Sequence, residues 1–434
     1  MKRTYAFRAT LLAVFAAMLV QAAGCKPAGA EAYYQWLRGC LDGLERDLPQ
    51  TVRSAEAAAQ LYVNDDHQIG TYGDRGFAGE SGGRSGGMMR MLSPGQIADP
   101  KRKSIVLFAL REDRWDEAMD KARQYLAAGG KMVIAFARPD LIDRAAAEGV
   151  TFDAVVDNHA APHGGLFAAG DGKWLVPTSP PANLAAMWVW TGEFVAACTR
   201  MGKMPPMYLG YAVEGGKERA EKITKTIGYA KFHTEEATPV DAGRIGREFL
   251  KELRDDLAAL HRNEMGDIRE VARLAVETKA RGGGLYVNLA THASQSGQIG
   301  YPHDPGYFTQ SNTGWFDQRK DVTFKPGDLV FCVGFDQPFH GWKHGDWDEQ
   351  ARAAGAELAW SFTSYRRKDA VELPPGEIFI DQHWRFGDAV ATVPGYDIKI
   401  LPTSGVIADA VLWMVNAEVF HLLSIQPTPP AASQ

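Results

Sequence analysis

The amino-acid sequence predicts an α/β protein made of two tandem domains, each with a doubly wound parallel sheet. The first observation behind this prediction is an internal repeat: Pro177-Thr178-Ser179 returns 225 positions later as Pro402-Thr403-Ser404. At the same offset further residues are identical, namely Ala185 and Ala410, Trp188 and Trp413, and Glu193 and Glu418. Because a self-match at a fixed offset is the mark of a repeated unit, we expect two diverged copies of one domain.

The second observation is the alternation of strand and helix patterns in the first copy. Residues 33–66 have helical patterns, and a short strand at 68–73 runs into a glycine-rich loop. Residues 104–110 form a continuous apolar run, typical of a strand buried on both faces of a parallel sheet. Apolar residues at helical spacing follow, and 131–136 is the next strand. This alternation favours a doubly wound α/β domain.

The second copy repeats this order of elements. We predict a helix at 268–280, a strand at 285–289, a strand at 328–333, a helix at 346–354 and a strand at 356–362. An amphipathic helix around Phe249 and Leu253 precedes them. The predicted organisation is an export signal at 1–25, a first domain at 33–202, a linker at 203–240, a second domain at 241–425 and a disordered tail at 426–434.

Composition sets outer limits on partners. The chain has 434 residues, 45% of them hydrophobic, which is enough for two substantial cores. The formal net charge of −6 gives no electrostatic reason to expect a nucleic-acid partner.

The first 25 residues have the order of an export signal. Lys2, Arg3 and Arg8 precede an apolar run at 9–20, and small residues lead to Cys25. The run is shorter than the roughly 20 residues that a membrane span needs. The end of the segment resembles a bacterial lipoprotein box, in which Cys25 is acylated after cleavage; ordinary cleavage without a lipid is the alternative, because Ala22 departs from the usual apolar residue. We expect an exported protein, either periplasmic or anchored to the membrane as a lipoprotein.

The sequence predicts no metal and no cofactor. His159 and His163 have a ligand-like spacing, as do His340 and His344, but we expect no carboxylate or cysteine to complete either site. The glycines 282–284 precede a strand instead of following one, so they are no nucleotide fingerprint. The remaining cysteines, Cys40, Cys198 and Cys332, are predicted to be small core residues.

Ligands of parallel α/β sheets bind at loops beyond the carboxyl ends of the strands. In the loop at 73–87, Glu80 and Arg84 lie one helical turn apart, as a ligand contact or as an ordinary ion pair. The corresponding loop of the second copy, 291–297, is rich in hydroxyls and contains His292. In the two Pro-Thr-Ser turns, Ser179 and Ser404 either cap the next helix or also contact an anion.

This order of motifs resembles the SIS (sugar isomerase) domain family of phosphosugar-binding proteins. Glu80, Arg84 and the glycines 86–87 are similar to a glutamate, arginine and glycine pair of single-domain members, and 387–389 is similar to their Gly-Asp-Ala. The resemblance covers most of residues 50–200 and 265–425. It implies flavodoxin-like, SIS-type domains that bind a small sugar-type ligand and pair with each other or in a homodimer.

The resemblance leaves three hypotheses for function. In the first, a sugar or sugar-phosphate isomerase, Glu80 is the base and His292 opens the ring. Its ligand contacts are Arg84, Ser294, Ser296, Thr178, Ser179, Asp388, Thr403 and Ser404. The second is a non-catalytic binder of a cell-wall sugar, using aromatic loops around Trp342, Trp347 and Trp384. The third is a structural paralogue without a ligand.

The phosphate loop of the family is missing from both copies, and acids such as Glu112 and Asp336 stand there instead. We therefore favour binding of a sugar ligand over isomerase activity.

Overall fold

A computed structural model describes residues 27–73, 75–82, 84–211, 213–228, 230–290, 299–312, 319–334, 347–364, 374–385 and 387–425. Several predictions lie outside these residues: the export signal with Cys25, the loop with His292, Ser294 and Ser296, the loop with Trp342, and the tail at 426–434.

The first half of the chain begins with two helices and builds a four-stranded sheet. Its elements are α1 (Gly29–Arg46), α2 (Leu48–Asn64), β1 (Gln68–Tyr72), α3 (Arg75–Ser81), α4 (Pro94–Ala98), β2 (Ser104–Ala109), α5 (Trp115–Ala127), β3 (Lys131–Ala137), α6 (Pro139–Ala147) and β4 (Ala154–Asp157). The strands are all parallel, in the order β1-β2-β3-β4. An antiparallel hairpin, β5 (Gly165–Ala168) and β6 (Trp174–Pro177), leads into α7 (Ser179–Arg200).

The second half builds a five-stranded parallel sheet. Its elements are α8 (Gly216–Ile227), α9 (Arg244–Ala280), β7 (Leu285–Ala290), β8 (Thr309–Gln310), β9 (Leu329–Gly334), α10 (Trp347–Ala353), β10 (Glu357–Phe362), β11 (Ile378–Asp381), β12 (Ala389–Ala391), β13 (Ile400–Pro402) and α11 (Ser404–Ile425). The strand order is β11-β10-β9-β7-β8. Strands β12 and β13 form a second hairpin before α11. The predicted α/β class with parallel sheets is confirmed.

Helices cover both faces of the first sheet, as a doubly wound arrangement requires. Along β2, Ile105 and Leu107 face the central core, whereas Val106 and Phe108 face the cluster that includes α5 and α6. This is why the strand is apolar at every position and buried throughout.

The helix before the second sheet differs from the prediction. We expected an amphipathic helix near Phe249 and a separate one at 268–280, but α9 is continuous over 37 residues. Its buried stripe continues through Leu260, Met265 and Ile268, and no proline interrupts it, so the two predicted helices merge.

The central core is shared by the two halves. Helices α7 and α11 pack against each other; α7 also packs against α2 and α9, and α11 against α1 and α9. By length and composition alone α11 is long and apolar enough to cross a membrane, and 78% of its most apolar window is buried inside the fold. In this structure it is a core helix between the two halves.

Candidate functional site

Glu80 and Arg84 lie where the first half meets the second. They follow the carboxyl end of β1, and their exposed fractions are only 0% and 3%. The Nη2 atom of Arg84 lies 3.2 Å from Glu80 Oε1 and 2.9 Å from Oδ2 of Asp388, which belongs to the second half. The predicted ion pair therefore extends across the junction of the halves.

Asp388 in turn holds the first residue of α11. The backbone N–H of Ser404 donates to Asp388 Oδ1 at 2.9 Å, and its hydroxyl donates to Oδ2 at 2.8 Å. Arg84 also donates to the Ser404 hydroxyl. We call Glu80, Arg84, Asp388 and Ser404 the interface cluster. Its own carboxylate, Asp388, fills the place at the helix start where an external anion would bind.

Glu80 is pressed against the first turn of α11. A Cβ atom on Gly405 would lie only 2.4 Å from Glu80 Oε1, so glycine is what allows the carboxylate this close. The positive end of the helix dipole favours an anion here. Burial nevertheless raises the pKa of Glu80, and Arg84 opposes that rise.

The pKa of Asp388 is also raised. Burial raises it to about 6, with Glu80 adding to the rise and Arg84 and the Ser404 hydrogen bonds opposing it. Two carboxylates share one guanidinium, so the cluster is able to take up a proton at mildly acidic pH.

A third carboxylate, Asp256, extends the cluster and was missed by sequence reasoning. The Thr403 hydroxyl donates to Asp256 Oδ2 at 2.8 Å, and burial raises the pKa of Asp256 to about 7. One signal was present in the sequence: Asp256 lies on the apolar stripe of α9, between Leu253 and Leu257.

The corresponding turn of the first half is built differently. The Thr178 backbone N–H donates to Gly164 O at 2.9 Å, as the Thr403 N–H does to Asp388 O at 3.3 Å, so Gly164 takes the place of Asp388. The Thr178 hydroxyl donates to Gly164 O and accepts from Ala161 N. These bonds stay inside the first half and do not reach the interface cluster.

The expected capping by the two serines is wrong. The N-cap of α7 is Thr178, whose side chain makes no capping hydrogen bond, and Ser179 is the first helical residue. Two prolines at 180–181 then remove two of the amides that an anion would need. Ser404 likewise is the first residue of α11, and its hydroxyl binds Asp388.

Gly164 is surrounded by polar groups from the ends of β2 and β3 and from His303, which precedes β8. A Cβ atom there would meet Glu112 Oε1 and His303 Nε2, both at 2.6 Å. Arg138 pairs with Glu112 and lies 2.6 Å from Asp140 Oδ1. Sequence reasoning treated Glu112 as an acid that repels phosphate and missed this arginine, which partly neutralises it.

The tryptophans proposed as sugar-binding platforms are in the core. Trp347 is buried and packs against Trp360, with ring centroids 5.4 Å apart. Trp384 is also buried, and its indole donates to Gln382 Oε1 at 2.8 Å. Neither ring offers a free face to a ligand, which corrects that part of the hypothesis; Trp342 lies outside the described residues.

His159 has carboxylate neighbours that the sequence analysis did not expect. Its Nε2 lies 2.9 Å from Asp47 Oδ2 and its Nδ1 lies 3.6 Å from Asp157 Oδ2. His383 repeats this arrangement, with Nε2 2.9 Å from Glu264 Oε1 and Nδ1 3.6 Å from Asp381 Oδ2. Asp47, Asp157 and His159 offer ligand atoms that all lie within 4.8 Å of one another, so the described residues bring together a group that could hold a metal ion.

Comparison with known proteins gives structural neighbours only. No protein-family model matches the chain, and no curated protein matches it. The C-terminal domain of glucosamine-fructose-6-phosphate aminotransferase from Francisella tularensis is similar with a TM-score of 0.44 and 10% identity, over 88% of this chain and 94% of that one. A protein assigned as a phosphosugar isomerase from Silicibacter pomeroyi DSS-3 has a TM-score of 0.44 and 14% identity, over 90% and 97% of the two chains.

A protein assigned as sugar-binding, from Salmonella typhimurium LT2, has a TM-score of 0.44 and 12% identity, over 91% of this chain and all of its own. At such low identity, function rests on the residues of this chain.

Proposed function

We propose that this chain binds a small sugar-type ligand and consists of two diverged SIS-like copies that pair with each other. Supporting the duplication, β1-β2-β3-β4 and β7-β9-β10-β11 are each parallel, and each set is followed by an antiparallel hairpin and a 22-residue apolar helix. The paired residues Gly165 with Pro177, and Ala389 with Pro402, sit at matching places in the two hairpins.

The observation that carries the proposed binding is the interface cluster. Glu80, Arg84 and Asp388 are three of the residues that the family resemblance implies for the site, and they converge on the start of α11 together with Ser404. Carboxylates, a guanidinium and a hydroxyl are suitable partners for sugar hydroxyls. Because the four side chains are buried, binding of a sugar there requires a local rearrangement that exposes them.

Isomerase activity is a more specific hypothesis than sugar binding, because it also requires a base and a ring-opening group. An isomerase would use Glu80 to move a proton between neighbouring carbons and His292 to open the ring. The raised pKa of Glu80 suits a base, whereas its burial puts it out of reach of a substrate in this arrangement.

A second candidate function is structural. Asp388 already occupies the start of α11, and Arg84 pairs with both carboxylates of the cluster. These contacts hold the two halves together without any ligand, which favours a paralogue kept for its assembly.

A thermal-shift screen separates the two candidates. The full chain is heated with sugar phosphates, free hexoses, amino sugars and peptidoglycan fragments, and a ligand that binds the folded state raises the melting temperature. We expect a rise with at least one sugar, and a smaller rise for Glu80→Gln than for the matched exposed variant Glu221→Gln. No rise with any sugar contradicts the binding proposal and leaves the structural one.

We further propose that the chain is exported and processed at its N-terminus. Expression in a bacterial host followed by intact-mass measurement tests this, because acylation at Cys25 adds lipid mass and Cys25→Ser removes it. An uncleaved chain in the cytoplasmic fraction contradicts the proposal.

A further inference from the structure

A basic pocket lies at the amino ends of the strands of the first sheet, whereas the interface cluster follows the carboxyl end of β1. Its cavity of about 340 Å³ opens beside Gln68, the first residue of β1, and Arg102, which precedes β2. Among the residues that the structure describes, its lining contains three cationic side chains, Arg90, Arg102 and Lys231, and no carboxylate. The remaining wall is formed by Tyr62, Gln68, Met89, Met91, Leu92 and Gln96.

Two of the cations are fixed by backbone carbonyls. Arg90 donates to the carbonyl of Gly228. Lys231 Nζ donates to Tyr62 O at 2.8 Å and to His67 O at 3.2 Å. The two carbonyl contacts hold the Arg90 and Lys231 side chains in place along the wall of the pocket.

Arg102 has hydrogen-bonding capacity left. Its Nη1 donates to Gln68 Oε1 at 3.1 Å, while its Nε is buried without a hydrogen-bond partner. Lys231 also pairs with an acid outside the lining, since its Nζ lies 3.0 Å from Asp66 Oδ1. The Asp66 side chain is 86% exposed, so water screens its charge.

Tyr62, in the wall of the pocket, is independent evidence for a ligand. Tyr62 is only 1% exposed, and its hydroxyl is buried without a hydrogen-bond partner. Lys231 Nζ lies 4.8 Å from the centroid of its ring. A buried hydroxyl without a partner is unfavourable, and an acceptor placed in the cavity would relieve it.

We propose that this pocket binds a small metabolite through an oxyanion group, a phosphate or a carboxylate. The oxyanion accepts hydrogen bonds from Arg102 and from the Tyr62 hydroxyl, and Arg90 and Lys231 supply the countercharge. The cavity falls in the usual range of small-molecule sites, roughly 300–1,000 Å³, so it has room for more than the bare anion. The pocket is separate from the interface cluster and does not depend on the proposed sugar site.

Calorimetric titration of the full chain tests this, with inorganic phosphate, citrate, glucose 6-phosphate and glucose as probes. We expect saturable binding of at least one anion, and weaker affinity by about tenfold or more for Arg102→Gln, because one charged partner is lost. Tyr62→Phe removes only a hydroxyl and is expected to weaken binding several-fold while keeping the fold. Arg123→Gln, on the exposed side of α5, makes the same charge change away from the pocket and is expected to bind like the wild type.

Two results would overturn the proposal. One is no binding of any of the three anions to the wild type. The other is equal affinity in Arg102→Gln, Tyr62→Phe and Arg123→Gln, which would place the anion elsewhere. Glucose carries no anionic group, so its binding tests the proposed sugar site alone. Failure of the sugar proposal is therefore distinguishable from failure of the oxyanion proposal.

Discussion

Glu193 and Glu418 lie 225 positions apart, the offset of the predicted repeat, and each caps the start of a helix of the other half. Glu193 accepts hydrogen bonds from Gly243 N at 2.6 Å and Gly246 N at 2.8 Å, at the start of α9. Glu418 accepts from Ala30 N at 2.9 Å, at the start of α1. The halves thus exchange caps, and backbone amides that would otherwise be unsatisfied are paired across the junction.

Loss of one exchanged cap is expected to destabilise the whole chain. Glu193→Ala leaves two buried amides without acceptors, which costs about 2 kcal/mol of the free energy of unfolding. Urea unfolding followed by circular dichroism measures this, with the exposed Glu221→Ala as the control. A cost no larger than that of the control would show that the cap contributes nothing.

Removing Arg84, the shared cation of the interface cluster, is expected to lower the free energy of unfolding more than Glu193→Ala does. Arg84→Met leaves two buried carboxylates without their partner, which costs about 3–5 kcal/mol at pH 8. The cost should shrink at pH 5, because the carboxylates are then able to protonate. The matched control is Arg319→Met, whose exposed pair with Asp321 should contribute little to the free energy of unfolding. Equal costs at the two pH values would contradict this account.

Asp256 should make stability fall as the pH rises. Its folded-state pKa of about 7 exceeds the unfolded value near 3.9, so the folded state binds more protons between these values. The free energy of unfolding is therefore expected to decline by on the order of 2–4 kcal/mol from pH 4 to pH 7. Asp256→Asn keeps a partner for Thr403 and should flatten the decline; an unchanged slope in urea titrations would rule out this role.

The pair of His383 and Glu264 acts in a higher pH window. The hydrogen bond that the His383 ring donates to the Glu264 carboxylate is the main cause that raises the pKa of His383, against the effect of burial. The stabilisation is thus complete below about pH 6.5 and is lost as the pH rises through the folded-state pKa. We expect His383→Gln to lower the free energy of unfolding measurably at pH 6 and little at pH 9. Unfolding curves at both values check this, and an equal cost at both would mean that the ring contributes only packing.

Hydrophobic patterns along the sequence predicted most of the long strands of the two sheets. The strands β2 and β9 were visible as unbroken apolar runs because both of their faces are buried. We expected two helices where α9 is continuous: Gly266 lies between them, but the helix and its buried stripe continue past it. The roles of His292, Ser294 and Ser296 stay predictions, since they lie outside the described residues.

By itself, the sequence determined the α/β class and placed Glu80 and Arg84 one helical turn apart, since both are written in spacings along the chain; the duplication stays a prediction. Only the tertiary structure decided that Arg84 meets Asp388, 304 positions away, that Asp256 joins Thr403, and that Trp347 and Trp384 are buried. The physical reason is that periodicity shows which face of an element is apolar and leaves open which partner covers it. That choice is made by the packing of α7, α9 and α11, where residues of both halves close one core.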